Sequence, residues 1–374
     1  MKTTHFQFFI IAVTVFLTTG CAKENIPRSY SYTPPQLIPD GLSVSTLDSV
    51  GLNTGLIEYM IDQINSNRYV NLHSVLIIKE GKLVLEEYFQ GYDKNTLNDT
   101  YSATKSICSA LVGIAIDKQY IKSVDDPIKK YLSEYSDIDW TGKEDITIKH
   151  LLTMSAGLAW DESTAPYGSP ENSHTKMNQS PDQVKYVLQR PVVDIPGAKF
   201  VYNSGLVVTL GKIIANSGFI DFDTLATRYL FAPLGIRNHQ WYIYPSGIYL
   251  ASGDLMLTSR DMAKFGLLYL NNGKWNGQQI ISEKWVKQSS ESYISPWHET
   301  YYGYLWWKMP LLLLNGQRIE GYFAEGYGGQ LIFILPSYKM VVVFTSGINW
   351  NKPELTFQPL EILQQFILPG IKKY

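Results

Sequence analysis

Ser102-Ala103-Thr104-Lys105 is the run of this sequence with the clearest chemical content. Residues three apart on a helix share a face, so the hydroxyl and the amine can meet. A serine alcohol becomes a useful nucleophile only when a neighbouring base takes its proton. Lysine is such a base only when neutral, which requires burial or nearby positive potential to lower its pKa from about 10.4. A helix N-terminus adds a place for developing negative charge. The spacing alone also arises from an ordinary helix cap followed by a surface lysine, so its weight depends on the rest of the chain. Other chemistries find less support. The histidines (His5, His73, His150, His174, His239 and His298) are scattered, with no H-E-x-x-H and no close metal-ligand spacing. His150 precedes an apolar helical pair and reads as structural. No glycine-rich phosphate cradle follows a strand, so neither a metal nor a cofactor is expected.

The chain that must position this pair has 374 residues, 45% hydrophobic and 18% charged, the balance of a globular protein with a substantial core. A net charge of −2 offers no basic face for nucleic acid. Residues 1–20 read as an export signal: Lys2 is the positive start, Phe8 to Leu17 the apolar run, and Thr18-Thr19-Gly20 the small residues before Cys21. Cys21 stands where a bacterial lipoprotein signal places its lipid-modified cysteine, although Leu17 lies one position farther away than usual. The expected location is the cell envelope, with membrane attachment through Cys21. The other cysteine, Cys108, falls in an apolar helical stretch and reads as a small core residue, leaving no disulfide framework. Residues 21–47, polar and proline-bearing, read as a tether, and 48–374 as the folded domain.

Within that domain a helix is expected through Leu56–Ile61, and Ser74–Ile78 turning back as Leu83–Tyr88 around Glu80-Gly81 is a hairpin signal. Ala103 to Asp117 is helical by spacing, with Ser102 at its start. Gln330–Leu335 and Met340–Phe344 form a second hairpin around Pro336-Ser337. Strands at both ends with helices between predict an α+β fold: a mainly antiparallel sheet flanked by helices, drawn from about 48–120 and 240–374, with a helical part at about 121–239 and the site between them. The long polar stretch from Asp161 to Asp182 either shapes the site or carries solvated charge, and Trp160-Asp161-Glu162 opens it. Trp306 and Trp307 read as packing residues; Tyr301, Tyr302 and Tyr304 stand equally as cleft wall or filling.

Five landmarks in order give the wider context. Tyr101–Ser106 resembles the first motif of the serine β-lactamase and penicillin-binding-protein superfamily, nearest its class C β-lactamase-like and esterase-like branch. Ile148–Leu158 looks like the segment that this branch carries before its substrate loop. Pro196–Gly205 looks like the second, tyrosine-containing motif, and Ser252-Gly253-Asp254 through Gly266 like a further landmark. Gly326-Tyr327-Gly328-Gly329-Gln330 resembles the third motif. Together they span about 73 to 346. The resemblance implies that Ser102 attacks a carbonyl and holds the acyl group. It implies that Lys105 and Tyr202 shuttle the proton, and that the backbone N–H groups of Ser102 and Gln330 form the oxyanion hole. Ser204, Asn203, Tyr327, Gly328, Gly329 and Trp160 are the expected substrate contacts.

Two departures bear on the substrate. Where the family reads Tyr-x-Asn, the third position here is Ser204, with Asn203 displaced by one; Ser204 is expected to bond to Lys105 or substrate. Where a lysine or histidine usually stands in the third motif, this chain has Tyr327, which cannot hold a substrate carboxylate by charge. The expected function is therefore hydrolysis of an ester, amide or peptide bond in a small-molecule or peptide-like acyl substrate. The alternatives are a β-lactamase or DD-peptidase of the same superfamily, and a non-turnover penicillin sensor or binding lipoprotein.

Overall fold

The alternation around Glu80-Gly81 forms the strands Leu72–Lys79 and Lys82–Tyr88, with Ser74 opposite Tyr88. The C-terminal alternation forms Gln330–Leu335 and Met340–Ser346, and the latter pairs antiparallel with Leu72–Lys79. The two ends of the chain thus meet in the middle of one sheet. Among the described residues its nine strands run Ser43–Val44, Lys82–Tyr88, Leu72–Lys79, Met340–Ser346, Gln330–Leu335, Tyr322–Gly326, Trp307–Lys308, Thr300–Tyr302 and Ile294–Trp297. Ser43–Val44 pairs parallel with its neighbour; the other pairings are antiparallel. This computed structural model describes residues 29–313, 316–348 and 355–372; Cys21 and the expected export signal lie outside the described residues.

The period of two in these strands puts apolar side chains on both faces, and each face has its own cover. Val75, Ile77, Phe333, Val342 and Phe344 pack with Ile57, Met60 and Ile61 of helix Thr54–Asn65 and with Leu363 and Phe366 near the C-terminus. Leu76, Ile78, Ile332, Ile334, Val341 and Val343 face the opposite way, toward helices Thr104–Asp117 and Ser259–Leu270. Gly266 lets the second helix lie close: a Cβ there would come within 2.5 Å of a Val341 methyl. Helix Thr104–Asp117 is buried on every side from Thr104 to Ala115, as expected of a helix clamped between two layers rather than lying on a surface.

The second layer is helical. Ile148–Leu152, Ser173–Gln179, Gln183–Leu188, Ser204–Gly218 and Phe222–Ala226 each begin at a side-chain cap, from Thr147, Asn172, Asp182, Asn203 and Asp221 respectively. Helix Ser204–Gly218 packs against Thr104–Asp117, so the nucleophile helix bridges sheet and helical layer.

One expectation is corrected. Residues 29–46 are not a free spacer but are docked on the domain. Tyr30 N–H donates to Asp62 at 3.0 Å, Tyr32 hydroxyl donates to the Val84 carbonyl at 2.8 Å, and Leu42 is buried. Arg260, itself buried, donates to Asp40 at 2.8 Å, to the Gln36 carbonyl at 2.9 Å and to both Glu86 oxygens at 2.6 and 2.7 Å. Proline-bearing segments lack period but still supply carbonyls and carboxylates, and a buried guanidinium with five donors needs that many acceptors.

Candidate active site

Ser102 lies in a single tight turn, Tyr101–Ala103, that runs straight into helix Thr104–Asp117. Tyr101 occupies the left-handed region at φ 44°, a conformation that costs a non-glycine residue about 1–3 kcal/mol. Its N–H donates to the Asp99 carboxylate at 2.7 Å, which holds the bend that sets Ser102 at the mouth of the helix. One turn on, Lys105 is 2% exposed. Its Nζ lies 2.9 Å from Ser102 Oγ and donates to the Ser252 carbonyl at 2.8 Å. Burial pushes this amine down to about 8, opposed by the negative charge of Glu162 and Asp254. The pair expected from spacing is therefore a real contact, with the amine poised near neutrality of charge at mildly basic pH.

Tyr202 completes the cluster. Lys105 Nζ is 5.0 Å from the centre of its ring, and Ser102 lies near enough to its phenol to act on its ionisation. Burial, then the charge of Glu162, hold the phenol well above its usual range despite the neighbouring Ser102 hydroxyl. The earlier landmarks explain its placement. Val201 N–H donates to the Met154 carbonyl at 2.8 Å, so Ile148–Leu158 braces Tyr202. Ser252, from the next landmark, anchors Lys105.

The third motif meets this cluster through a close backbone approach. A Cβ on Gly326 would stand 2.1 Å from the Thr100 carbonyl oxygen, so only glycine lets strand Tyr322–Gly326 lie against the turn of Ser102. Gly326 pairs with Gln330 across the turn Tyr327-Gly328-Gly329. Gly328 and Gly329 both have positive φ, and a Cβ on Gly329 would strike Ser346 Oγ, so these glycines shape the turn and do not themselves contact the cleft through side chains. The Gln330 amide is buried against the Ser346 and Tyr327 carbonyls, which leaves its backbone as the part that can serve the site. Tyr327 sits at the rim with its ring 5.2 Å from that of Tyr101.

Three expected substrate contacts have other duties. Asn203 is buried and its side chain accepts from Leu206 N–H at 3.2 Å, capping helix Ser204–Gly218. Ser204 bonds neither Lys105 nor open cleft: its N–H and hydroxyl donate to Glu162 at 2.9 and 2.7 Å. Trp160 Nε1 donates to the same carboxylate at 2.6 Å. Glu162, 4% exposed, is thus the hub of the polar loop, with Tyr167 hydroxyl donating to it at 3.2 Å. A lone acid in a polar stretch gives no sequence signal of this kind. His174, edge-on to Tyr167 at 5.3 Å, joins the same wall and is held below its usual pKa first by burial.

The tryptophan pair divides. Trp306 is fully buried, stacked with Phe265 at 5.9 Å. Trp307 points the other way, stacked on Tyr202 at 6.1 Å and on Trp297 at 5.7 Å, so it walls the cleft rather than filling the core. Adjacent strand residues face opposite sides, and that period could have flagged the split. Tyr302 is buried beside Trp307, Tyr304 is buried against Trp285, and Tyr301 is exposed. His150 closes a capping box with Thr147, and Cys108 is buried, its thiol pushed up by desolvation. Among the described residues no cluster of three or more His, Cys, Asp or Glu could hold a metal ion.

Residues 73–363 match the beta-lactamase family model. The 6-aminohexanoate-dimer hydrolase of Paenarthrobacter ureafaciens is 23% identical over 297 residues, 74% of this chain and 73% of that protein. A Bacillus anthracis structure provisionally named as a 6-aminohexanoate-dimer hydrolase superposes with a TM-score of 0.67 at 21% identity, covering 90% of this chain and 87% of that one. EstCE1, a hydrolase with promiscuous acyltransferase activity, superposes at 0.64 with 14% identity over 82% and 96% of the two chains. The chain belongs to the beta-lactamase family, and with it to the serine hydrolases of that superfamily.

Proposed function

We propose that this protein hydrolyses an ester or amide bond of a small acyl substrate through a covalent acyl-Ser102 intermediate. The carrying observation is the 2.9 Å contact between Ser102 Oγ and a buried Lys105 amine whose pKa is lowered to about 8. Neutral Lys105 accepts the Ser102 proton as Oγ bonds to the substrate carbonyl carbon. The Tyr202 phenol, beside Ser102, relays that proton to the departing oxygen or nitrogen. A water then repeats the attack on the acyl carbon, and the proton returns to Ser102 Oγ. Backbone N–H groups of Ser102 and Gln330 face the carbonyl oxygen in this reading, each donor worth about 3–4 kcal/mol to the transition state.

An amide substrate is favoured by likeness to a relative whose name gives a 6-aminohexanoate dimer as its substrate. A β-lactam or peptidoglycan substrate is the weaker reading, because Tyr327 supplies no cation for a carboxylate. A non-turnover penicillin sensor is weaker on the same ground. Fluorophosphonate labelling followed by peptide mass spectrometry is expected to modify Ser102; folded protein that takes no label at any serine refutes the proposal. Export, with lipid attachment at Cys21, belongs to the same proposal and rests on the apolar run before that cysteine. It is checked by radiolabelled palmitate incorporation that Cys21→Ser abolishes; unchanged incorporation refutes it.

A further inference from the structure

Strand Tyr322–Gly326 pairs with Trp307–Lys308 only at its beginning, where Phe323 faces Trp307 and Tyr322 faces Lys308. Beyond that point its edge opens toward the cleft. Glu325 lies there, on the same face of the strand as Phe323 and hence as Trp307. Its carboxyl lies within electrostatic reach of the Tyr202 and Tyr302 hydroxyls. Trp307, on that face, belongs to an aromatic wall: Tyr302 is edge-on to Trp307 at 4.7 Å, and Phe200 lies 5.2 Å from Tyr302 and 6.0 Å from Trp307.

Among the described residues no donor and no cation meets this carboxyl. The contrast with Glu162 is direct, since that acid receives four donors. Desolvation alone pushes the Glu325 carboxyl up to about 7. A half-buried carboxylate without a partner is costly, and proteins retain such groups where a ligand or a reaction supplies what is missing. Glu162 and Glu325 act electrostatically on Tyr202, Glu162 and Asp254 act on Lys105, which is the cation of the cleft, and His174 lies within reach of both Glu162 and Lys105. The field in the cleft therefore favours a positive ligand group and disfavours a carboxylate.

We infer that Glu325 is the counter-ion for an organic ammonium group of the substrate, carried on an apolar chain that lies along the wall of Trp307, Tyr302 and Phe200. The inference rests on the acyl-Ser102 reading and adds the substrate's charge to it. A desolvated carboxylate beside aromatic rings is the chemistry that recognises alkylammonium ions, by charge and by ring quadrupole together. No covalent step is added, and Glu325 acts on specificity rather than on the reacting bond.

The test uses matched esters and the full-length protein in detergent. One pair varies the acyl side: p-nitrophenyl 5-(trimethylammonio)pentanoate against its carbon isostere, p-nitrophenyl 6,6-dimethylheptanoate. A second varies the leaving group: acetylthiocholine against 3,3-dimethylbutyl thioacetate. In at least one pair kcat/KM is expected to favour the cation about tenfold or more. Glu325→Gln is expected to bring that ratio to near one while leaving the neutral ester within about threefold. In parallel, n-butyltrimethylammonium is titrated against tryptophan fluorescence, with saturable quenching expected for the parent protein and lost in Glu325→Gln. Ratios near one in both pairs, or an equal loss on both esters in Glu325→Gln, overturn the inference, as does quenching that the substitution leaves unchanged. Ser102 labelling by a neutral fluorophosphonate separates the two failures. Label without cation preference defeats this inference alone, whereas no label defeats the acyl-Ser102 reading while the fluorescence titration still judges Glu325.

Discussion

Ser204 gives both of its donors to Glu162: its N–H reaches one carboxylate oxygen at 2.9 Å and its hydroxyl the other at 2.7 Å. The first turn of helix Ser204–Gly218 is thereby locked to the polar loop, and a negative charge is fixed near Lys105 and Tyr202. Glu162 raises the pKa of Lys105, so its removal lowers it. Glu162→Gln is expected to shift the rising limb of the pH–rate profile toward lower pH. It also sets an amide donor against donors, at a cost of about 1–3 kcal/mol in stability. A pH series of fluorophosphonate labelling, paired with urea unfolding, reads both; an unmoved limb would show that Glu162 does not act on Lys105.

The rate of acylation should itself report Lys105. The amine accepts a proton only when neutral, and its pKa stands at about 8, so kcat/KM is expected to rise through pH 8 and level off above it. Lys105→Arg keeps the charge but not the base, and acylation should fall by about a thousandfold or more. Stopped-flow acylation by p-nitrophenyl acetate measures both; an Arg variant close to the parent rate is incompatible with a lysine base.

Tyr202 has separable parts. Its ring stacks on Trp307, and its hydroxyl is the part on which Ser102 acts. Tyr202→Phe keeps the first and deletes the second, so turnover is expected to drop about 10²–10⁴-fold with little change in melting temperature. Tyr202→Ala should lose stability as well. Steady-state kinetics with differential scanning calorimetry distinguish the two variants.

Gly326 is where the third motif can be tested without touching a side chain. A methyl group there would sit 2.1 Å from the Thr100 oxygen, and backbone on both sides leaves little room to yield. Gly326→Ala is expected to cost about 1–3 kcal/mol and to slow labelling of Ser102, by moving the Gln330 backbone away from the turn. Unchanged stability and labelling would mean that the strand shifts freely.

Much of this site was legible because it follows short-range periodicity. Ser102 and Lys105 are one helical turn apart, and both hairpins alternate with period two, so their contacts are implied by local geometry. The residues that escaped are joined over long separations. Glu162 meets Ser204 across 42 positions, and nothing in Trp160-Asp161-Glu162 marks which acid turns inward. Glu325 interrupts an apolar strand by a single residue, which pattern reading treats as an outward-facing position. Asn203 is the opposite case. Placed just before an apolar helix it carries a capping signal, which the motif context outweighed.

Trp306 and Trp307 carry a consequence for how such a cleft can change. One indole is locked against Phe265 and Tyr269 in the core, while its neighbour along the chain stacks on Tyr202. The peptide between them makes the interior and the reaction chamber mechanically continuous. A substitution that repacks Tyr269 should therefore be felt at the Tyr202 ring, and a search for new substrates through position 307 draws on the stability margin set at position 306.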